Sequence, residues 1–311
     1  RSVARQALTS LPTMVDTSPD IRLRATMVGP IAARTLRPGA RGLVRAVFER
    51  SFYACLGTEL ICVGSESLGA GPLNLLCAPW HYGLAMHPIL RVGDAVGVVN
   101  GELNAGDFRL SVHTAQLWQP EPPGVWNNAS LTRGLASFEG ALPPSLPDEG
   151  LARLLRCTGT PNLATPVMTA AKSSVSYLEQ LLGGAASGCD PRIDAARIAP
   201  LLGLGPGLTP SGDDFLAGVL VALSLTERAR LRDRIWQAVE PLLTHHTSDI
   251  SHAHLAAAAK GFGCAALHEL LCAILAGATG PKLPAIYAVT AIGHTSGWDA
   301  LAGAIAALRT A

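Results

Sequence analysis

Charge is scarce in this sequence. Of 311 residues 15% are Asp, Glu, Lys or Arg, the formal net charge is +1, and no basic run occurs. Such a chain has no electrostatic footprint for nucleic acid or an anionic membrane. Long apolar runs are missing too. The hydrophobic 49% falls in short pieces, and the longest, around Phe215–Leu225 and Cys264–Ala278, are too short to span a bilayer or are interrupted by His268 and Glu269. A soluble protein is expected. The seven cysteines, Cys55, Cys62, Cys77, Cys157, Cys189, Cys264 and Cys272, include no CxxC pair. An odd number of thiols inside mostly apolar segments speaks for buried free cysteines in a reducing compartment, not a disulfide frame or a zinc site. The opening "RSVARQALTS" has no apolar signal region and no initiating Met, as at a trimmed terminus, so the expected location is the cytoplasm. The sequon Asn128-Ala129-Ser130 carries no meaning without secretion.

Catalytic signatures are equally thin. GxxxxGK-S/T is absent, which removes P-loop nucleotidases, and the absence of a GxSxG elbow leaves triad hydrolysis without its nucleophile. "GLGPG" resembles part of a dinucleotide loop, but no suitable strand precedes it and Pro206 interrupts the turn.

What is present divides the chain. Residues 1–40 form an N-terminal segment with scattered arginines. From 41 to 118, short β-branched and aromatic runs alternate with Gly, Pro and Asn turns, the pattern of an antiparallel barrel or sandwich. Residues 119–149 carry six prolines and read as a linker. From 150 to 311 the apolar spacing is helical, with helices expected over 149–157, 166–183, 191–202, 212–225, 227–246, 248–260, 263–277 and 296–309. Pro191 and the pair Gly183-Gly184 punctuate two of them. The expected class is therefore α+β, a β-rich domain followed by a mainly helical one.

The densest information lies in "LLGLGPGLTPSGDDFLAGVLVAL", residues 201–223. Its glycines and prolines require a turn, and "SGDDFLAGVLVAL" reads as the helix that follows. Ser211 suits the N-cap, and Asp214 three residues on completes a capping box. That reading does not need Gly205, Gly207, Thr209 or Asp213. Moreover, "SGWDALAG" at 296–303 repeats "SGDDFLAG" at 211–218 in six of eight positions, and Gly293 and Thr295 echo Gly207 and Thr209. If the two helices pack as a pair, their N-termini present amides and dipoles to one cleft. Candidate anion-binding residues are Gly205, Gly207, Ser211, Gly212, Thr295, Ser296, Gly297 and Asp299, with Ser248 and Ser251 as polar wall residues. Asp213, Asp214 and Thr209 are candidate catalytic residues, and Asp213 with Asp214 is a candidate Mg²⁺ site. Simple capping remains the competing reading.

"THHTSDISHAHL", 244–255, is the other cluster. On one helix His245, Asp249 and His252 would share a face and suit a metal; a merely polar face is the alternative. His81, His87 and His113 are placed near the domain junction.

"GLGPGLTPSGDDFLAG", "TSDISHAHLAAAAKG" and "IGHTSGWDALAG" together resemble the AllH-like family of bacterial proteins, and the likeness extends in pattern over residues 40–308. The histidines of 244–254 stand outside that family's pattern. The resemblance implies a component of oxamate carbamoyltransferase in allantoin and purine nitrogen catabolism, working with an FdrA-like partner subunit. The implied reaction is phosphorolysis of oxalurate to oxamate and carbamoyl phosphate. Its ligands are small anions, and phosphate or the carbamoyl phosphate moiety would lie against Gly207–Gly212 and Thr295–Gly297. Two readings compete with it: a non-catalytic scaffold or regulatory subunit, and a free-standing enzyme on another small acid or amide.

Overall fold

The structure is a computed structural model that describes residues 21–78, 86, 89–156, 165–186, 192–280 and 283–311. His81, His87, Cys157, Cys189 and Pro191, singled out in the sequence, lie outside the described residues.

The β-rich part is a closed barrel. Its strands are β1 (Ile21–Val28), β2 (Arg41–Val47), β3 (Ser51–Leu56), β4 (Glu59–Ser65), β5 (Asn74–Ala78), β6 (Ala95–Val99), β7 (Glu102–Ala105), β8 (Phe108–Ser111) and the short β9 (Gln116–Leu117), with helix α1 (Pro30–Thr35) after β1. They run in the order β5-β4-β3-β2-β6-β7-β8-β1, and β5 pairs back onto β1. β9 continues along β1 beyond β8. Most neighbours are antiparallel, but β1–β8, β1–β9 and β4–β5 are parallel. Closure leaves no row of unpaired backbone groups. β1 comes from the segment set apart as N-terminal in the sequence reading, where its alternation, flanked by arginines, is easy to overlook.

Local sequence explains the turns. Asn100 and Gly101 both have positive φ, 51° and 73°, the left-handed pair that a two-residue hairpin demands. Alternation explains the faces: Phe52, Ala54 and Leu56 of β3 point inward with Ile61, Val63, Leu103, Phe108 and Leu110, and Phe52 meets Phe108 edge to face at 5.3 Å. Side chains fill the interior, so this barrel is a packed core and not a pore. β4 is buried on both faces after Glu59, because its outer side is covered by the helices.

The helical part contains α2 (Asn128–Ala141), α3 (Pro166–Ala186), α4 (Ala195–Ile198), α5 (Ser211–Leu225), α6 (Ala229–His246), α7 (Asp249–Ala259), α8 (Ala265–Leu275), α9 (Leu283–Thr290) and α10 (Ser296–Leu308), with 3-10 turns at Ala152–Leu155 and Ala199–Leu201. Within the stretch expected as a linker, α2 starts at a capping box: the Ser130 amide donates to Asn127 Oδ1 at 2.9 Å, and the Asn127 amide to Ser130 Oγ at 3.0 Å. The sequon residues are thus a helix start. The helices expected over 149–157 and 191–202 reduce to a 3-10 turn and to α4 with its own 3-10 turn. Gly183 and Gly184 lie inside α3, which continues past them.

α5 and α10 are buried on almost every side and form the centre of the helical core, as helices apolar all round must. Barrel and helices meet along β3, β4 and α7. Ile31, Leu73 and Ala257 make a small apolar cluster there, the Ala265 amide donates to the Ala70 carbonyl at 2.9 Å, and Trp118 meets His268 edge to face at 6.3 Å. No helix of the described residues is long and apolar enough to cross a membrane.

Candidate functional site at the paired helix starts

The chain enters α5 through Gly203, Gly205 and Gly207, with φ of 71°, 118° and 93°. Left-handed backbone of this kind is where glycine is needed. The helix begins at Ser211, and the N-cap is Pro210, which has no side chain to cap with. The expected capping box is therefore not formed. The amides of Asp213 and Asp214 both donate to the Pro210 carbonyl at 3.0 Å, so Asp214 is free to turn elsewhere.

It turns toward α10, and the duplicated motif becomes a pseudo-two-fold pair. A Cβ on Gly218 would overlap the Ala300 carbonyl oxygen, and a Cβ on Gly303 would overlap that of Phe215. Gly212 and Gly297 lie equally tightly against the carbonyls of Leu201 and Val289. Their amides also correspond: Gly212 N–H donates to Leu204 O at 2.9 Å, and Gly297 N–H to Ile292 O at 3.0 Å. Gly205 and Gly293 both have positive φ, 118° and 61°, and their missing Cβ atoms face Ser211 and Ser296. Of the amides expected to face an anion, over Gly207–Gly212 and Thr295–Gly297, those of Gly212 and Gly297 are thus already paired with carbonyls, as are those of Asp213, Asp214 and Asp299 just beyond them.

The side chains cross over. Asp214 lies beside Ser296, the first residue of the other helix, and beside Thr209; Thr209 and Ser296 share a hydroxyl–hydroxyl hydrogen bond of 2.9 Å. Asp299 lies beside Ser211, again the first residue of the other helix, and beside Thr295. It also accepts from the Leu151 amide at 2.6 Å through Oδ1, while Oδ2 has no complete hydrogen bond. Burial raises the pKa of both carboxyls, and the hydroxyls oppose the shift. Asp214 rises well above the usual carboxylate value, with Asp299 and Asp213 adding repulsion. Each carboxyl is thereby pushed toward its protonated form.

The two are not equivalent in access. Asp299 is completely enclosed and tied to the 3-10 turn that follows Gly150. Asp214 remains partly open to solvent, although its Oδ2, like that of Asp299, is shielded and has no partner.

Asp213, the neighbour paired with it as a candidate Mg²⁺ site, points another way. Its Oδ1 accepts from the Gly203 amide at 2.9 Å, and its Oδ2 from Ser251 Oγ at 2.7 Å and from Thr247 Oγ1. It is 1% exposed. Three donors pin the entry loop and the start of α7 to α5, a structural task, and the two carboxylates do not converge on one cation. Ser248 caps α7 by accepting from the Ser251 amide at 3.0 Å and donates to the Leu208 carbonyl. That leaves Gly207 exposed with nothing near its Cβ position.

The histidine face does not exist as expected. α6 ends at His246 and α7 begins at Asp249, so His245 lies on a different helix from Asp249 and His252. His252 packs on Trp236 with ring centroids 6.4 Å apart, and His113 lies on the hairpin with Nε2 3.0 Å from the Asn100 carbonyl. Among the described residues no group of three or more His, Cys, Asp or Glu could hold a metal ion.

The structure adds residues that local pattern did not mark. Tyr53 of β3, paired across the strands with Cys62 of β4, extends its hydroxyl to 3.2 Å from His254 Nε2 on α7. Burial raises the Tyr53 pKa well above the usual phenol value, helped by Cys62 and, through space, by Asp214. His254 is pushed down to about 4 by burial, and Cys264 at the start of α8 is pushed up to about 11, with a further contribution from Asp214. Asp214, Tyr53, His254 and Cys264 are each partly accessible, yet loss of water is the leading influence on each. Tyr53 and His254 meet where the barrel abuts α7.

Residues 201–308 match the family described as oxamate carbamoyltransferase subunit AllH. That segment runs from the entry loop of α5 to the last residue of α10, so the match covers the whole paired-helix motif and none of the barrel. The AllH likeness seen in the sequence is thus borne out for roughly a third of the chain. No solved structure matches the chain.

Proposed function

We propose that this chain is a subunit of a carbamoyltransferase system acting on small carbamoylated acids, and that the site at Asp214 takes part in substrate binding. The reaction is the one the AllH likeness implies: phosphate oxygen attacks the carbamoyl carbon of oxalurate, the C–N bond to the oxamate nitrogen breaks, and that nitrogen takes a proton. Oxamate and carbamoyl phosphate leave. The setting is purine nitrogen catabolism in the cytoplasm, alongside an FdrA-like partner subunit.

One observation carries the reading. Of two carboxyls made equivalent by the duplicated motif, each has an oxygen without a hydrogen-bond partner, and Asp214 alone keeps access to solvent, inside the segment that matches the family. A buried carboxyl kept neutral is a hydrogen-bond donor, a role such groups fill in active sites. With Thr209 and Ser296 beside it, Asp214 can orient a substrate and supply a proton to a departing nitrogen. The amides of Gly212, Asp213, Asp214, Gly297 and Asp299 are occupied, so small anions such as phosphate would rely on the hydroxyls, on the open Gly207 turn and on groups from the partner subunit.

The test is an assay of carbamoyl phosphate formation by the chain assembled with its partner subunits, supplied with oxalurate and phosphate. Asp214→Ala is expected to abolish turnover without lowering the unfolding midpoint. Full activity in that variant would remove Asp214 from the site, and an inactive wild-type assembly would remove the reaction. The scaffold reading is favoured by the internal bonds of Asp213, and it expects every effect of the helix-start variants to follow their loss of stability.

A further inference from the structure

β1 changes neighbour half-way along its length. Ile21–Arg24 pair with Phe108–Ser111 of β8, whereas Met27 and Val28 pair with Gln116 and Leu117 of β9. The chain between, 112–115, leaves the sheet through a turn in which the Ala115 amide donates to the Val112 carbonyl at 3.3 Å. On the opposite edge of β1, against β5, the register slips between Ala25 and Met27. Both ladders are thus interrupted beside Thr26, and an interrupted ladder bends its strand and re-aims the side chains. A cavity of about 520 Å³ opens at this point, lined by Arg24, Ala25, Thr26, Ala78, Thr114 and Gln116. None of these residues belongs to the paired helix starts or to the segment that matches the family.

We propose that this cavity binds a phosphate monoester, a small organic molecule anchored by its phosphate on Arg24, as a ligand separate from those of carbamoyl transfer.

Charge argues for an anion. Arg24 faces outward, alternating with the buried Leu23 and Ala25, and its guanidinium has no ion pair or hydrogen bond among the described residues. No carboxylate lines the cavity. The acid in the same cross-strand row is Glu102, with Ser111 between it and Arg24. Over residues 21–117 nine arginines stand against six carboxylates, so the barrel as a whole attracts anions.

Donor count selects among anions. A guanidinium can give two parallel N–H bonds to one oxyanion, and the hydroxyls of Thr26 and Thr114 and the side-chain amide of Gln116 bring further donors to the same cavity. The hydroxyl of Thr26 is engaged only by a long bond of 3.4 Å to the Leu76 carbonyl, which competes weakly. A carboxylate is satisfied by the arginine fork alone; the three terminal oxygens of a phosphate use the whole set. Size then selects among phosphates, because the volume is that of a site for an organic molecule and not for a lone phosphate. Ala78 is the cross-strand partner of Arg24 and shares its face. Its methyl leaves beside the guanidinium the room that an esterified group would take.

Titration calorimetry on the full chain tests this with AMP and glycerol 3-phosphate as monoesters, malonate as a dicarboxylate, and inorganic phosphate and carbamoyl phosphate as anions of the transfer reaction. At least one monoester is expected to bind about tenfold more tightly than each of the other three, a difference of about 1.4 kcal/mol. Arg24→Gln should weaken that monoester by about tenfold or more, the usual loss when a charged hydrogen-bond partner is removed. Ala78→Leu, which fills the cavity and leaves the charges alone, should weaken it as much with an unchanged thermal midpoint. Gln116→Ala, at an exposed position, replaces that variant if the midpoint falls, and is expected to weaken the monoester several fold. Binding of neither monoester, equal affinity for malonate or inorganic phosphate, tighter binding of carbamoyl phosphate, or a monoester affinity untouched by both Arg24→Gln and Gln116→Ala would overturn the proposal. Turnover of oxalurate by the assembly enters none of these outcomes, so this site and the functional reading stand or fall separately.

Discussion

Gly218 and Gly303 occupy equivalent places on α5 and α10, each pressed against a carbonyl oxygen of the other helix, Ala300 and Phe215 respectively. Small residues at a crossing let two backbones touch, so the two N-termini arrive side by side. An alanine at either place gains up to about 1 kcal/mol of helix propensity but forces the pair apart. Gly218→Ala and Gly303→Ala are each expected to destabilise the protein by about 1–3 kcal/mol net, the usual cost of overpacking. Urea unfolding measures this, and an alanine at either position that leaves the midpoint alone would mean that the helices are not in backbone contact.

Asp213 is expected to behave as a structural residue. Asp213→Ala strands the Gly203 amide and the hydroxyls of Ser251 and Thr247, and buried donors left unpaired cost about 1–3 kcal/mol each at most. A total loss of about 2–4 kcal/mol is expected. Ser248→Ala removes an ordinary cap and should cost about 1 kcal/mol. Denaturant curves for both would reveal the ordering, and a smaller loss for Asp213→Ala than for Ser248→Ala would refute the role assigned here.

Asp214 should show the opposite balance. Its folded pKa lies above the unfolded value, so the folded state holds more protons, and stability declines as pH rises from about 4 through the folded pKa. Asp214→Asn removes that decline. The variant is expected to be more stable than the wild type at neutral pH and equally stable at acid pH, while turnover in the assembly falls. Thermal midpoints across pH would test it; a variant less stable at neutral pH would contradict the sign.

His254 and His268 reverse the sign. Burial lowers both from 6.5 to about 4, and His268 Nε2 accepts from the Gly263 amide at 2.9 Å, a bond that a protonated ring cannot keep. Their contribution is complete above pH 6.5 and is lost as pH falls toward 4, by at most about 3 kcal/mol each. Both lie where the barrel meets the helices. Trp118, packed on His268, should report the change in its fluorescence over that interval, and His268→Gln should flatten it. A titration unchanged by the substitution would place the acid-sensitive group elsewhere.

How much of this was legible depended on whether the information was local. The strand runs from 42 to 117 and the duplicated motif are contiguous patterns, and both appear as helices and strands where expected. Ser211 and Asp214 have the spacing of a capping box, but the same spacing serves two helices that exchange their polar groups, and nothing short-range separates the two cases. Prolines on either side hid α2, whose Asn127 and Ser130 carried the signal all along. Tyr53 could not be found at all. It is one aromatic residue on an outward strand position, and its meaning depends on His254, two hundred residues away.

The order of synthesis adds a constraint to this architecture. β1 closes the barrel between β5 and β8, so the first described strand stays without its second neighbour until residues near 111 have been made. α5 likewise waits for α10. Pairings this distant in sequence are slow to form and expose apolar surface meanwhile. Until residues 296–308 exist, the nascent chain carries a buried-type helix without a companion and an acidic side chain, Asp214, without the Ser296 hydroxyl beside it, a half-built interior that shielding by other proteins would have to protect.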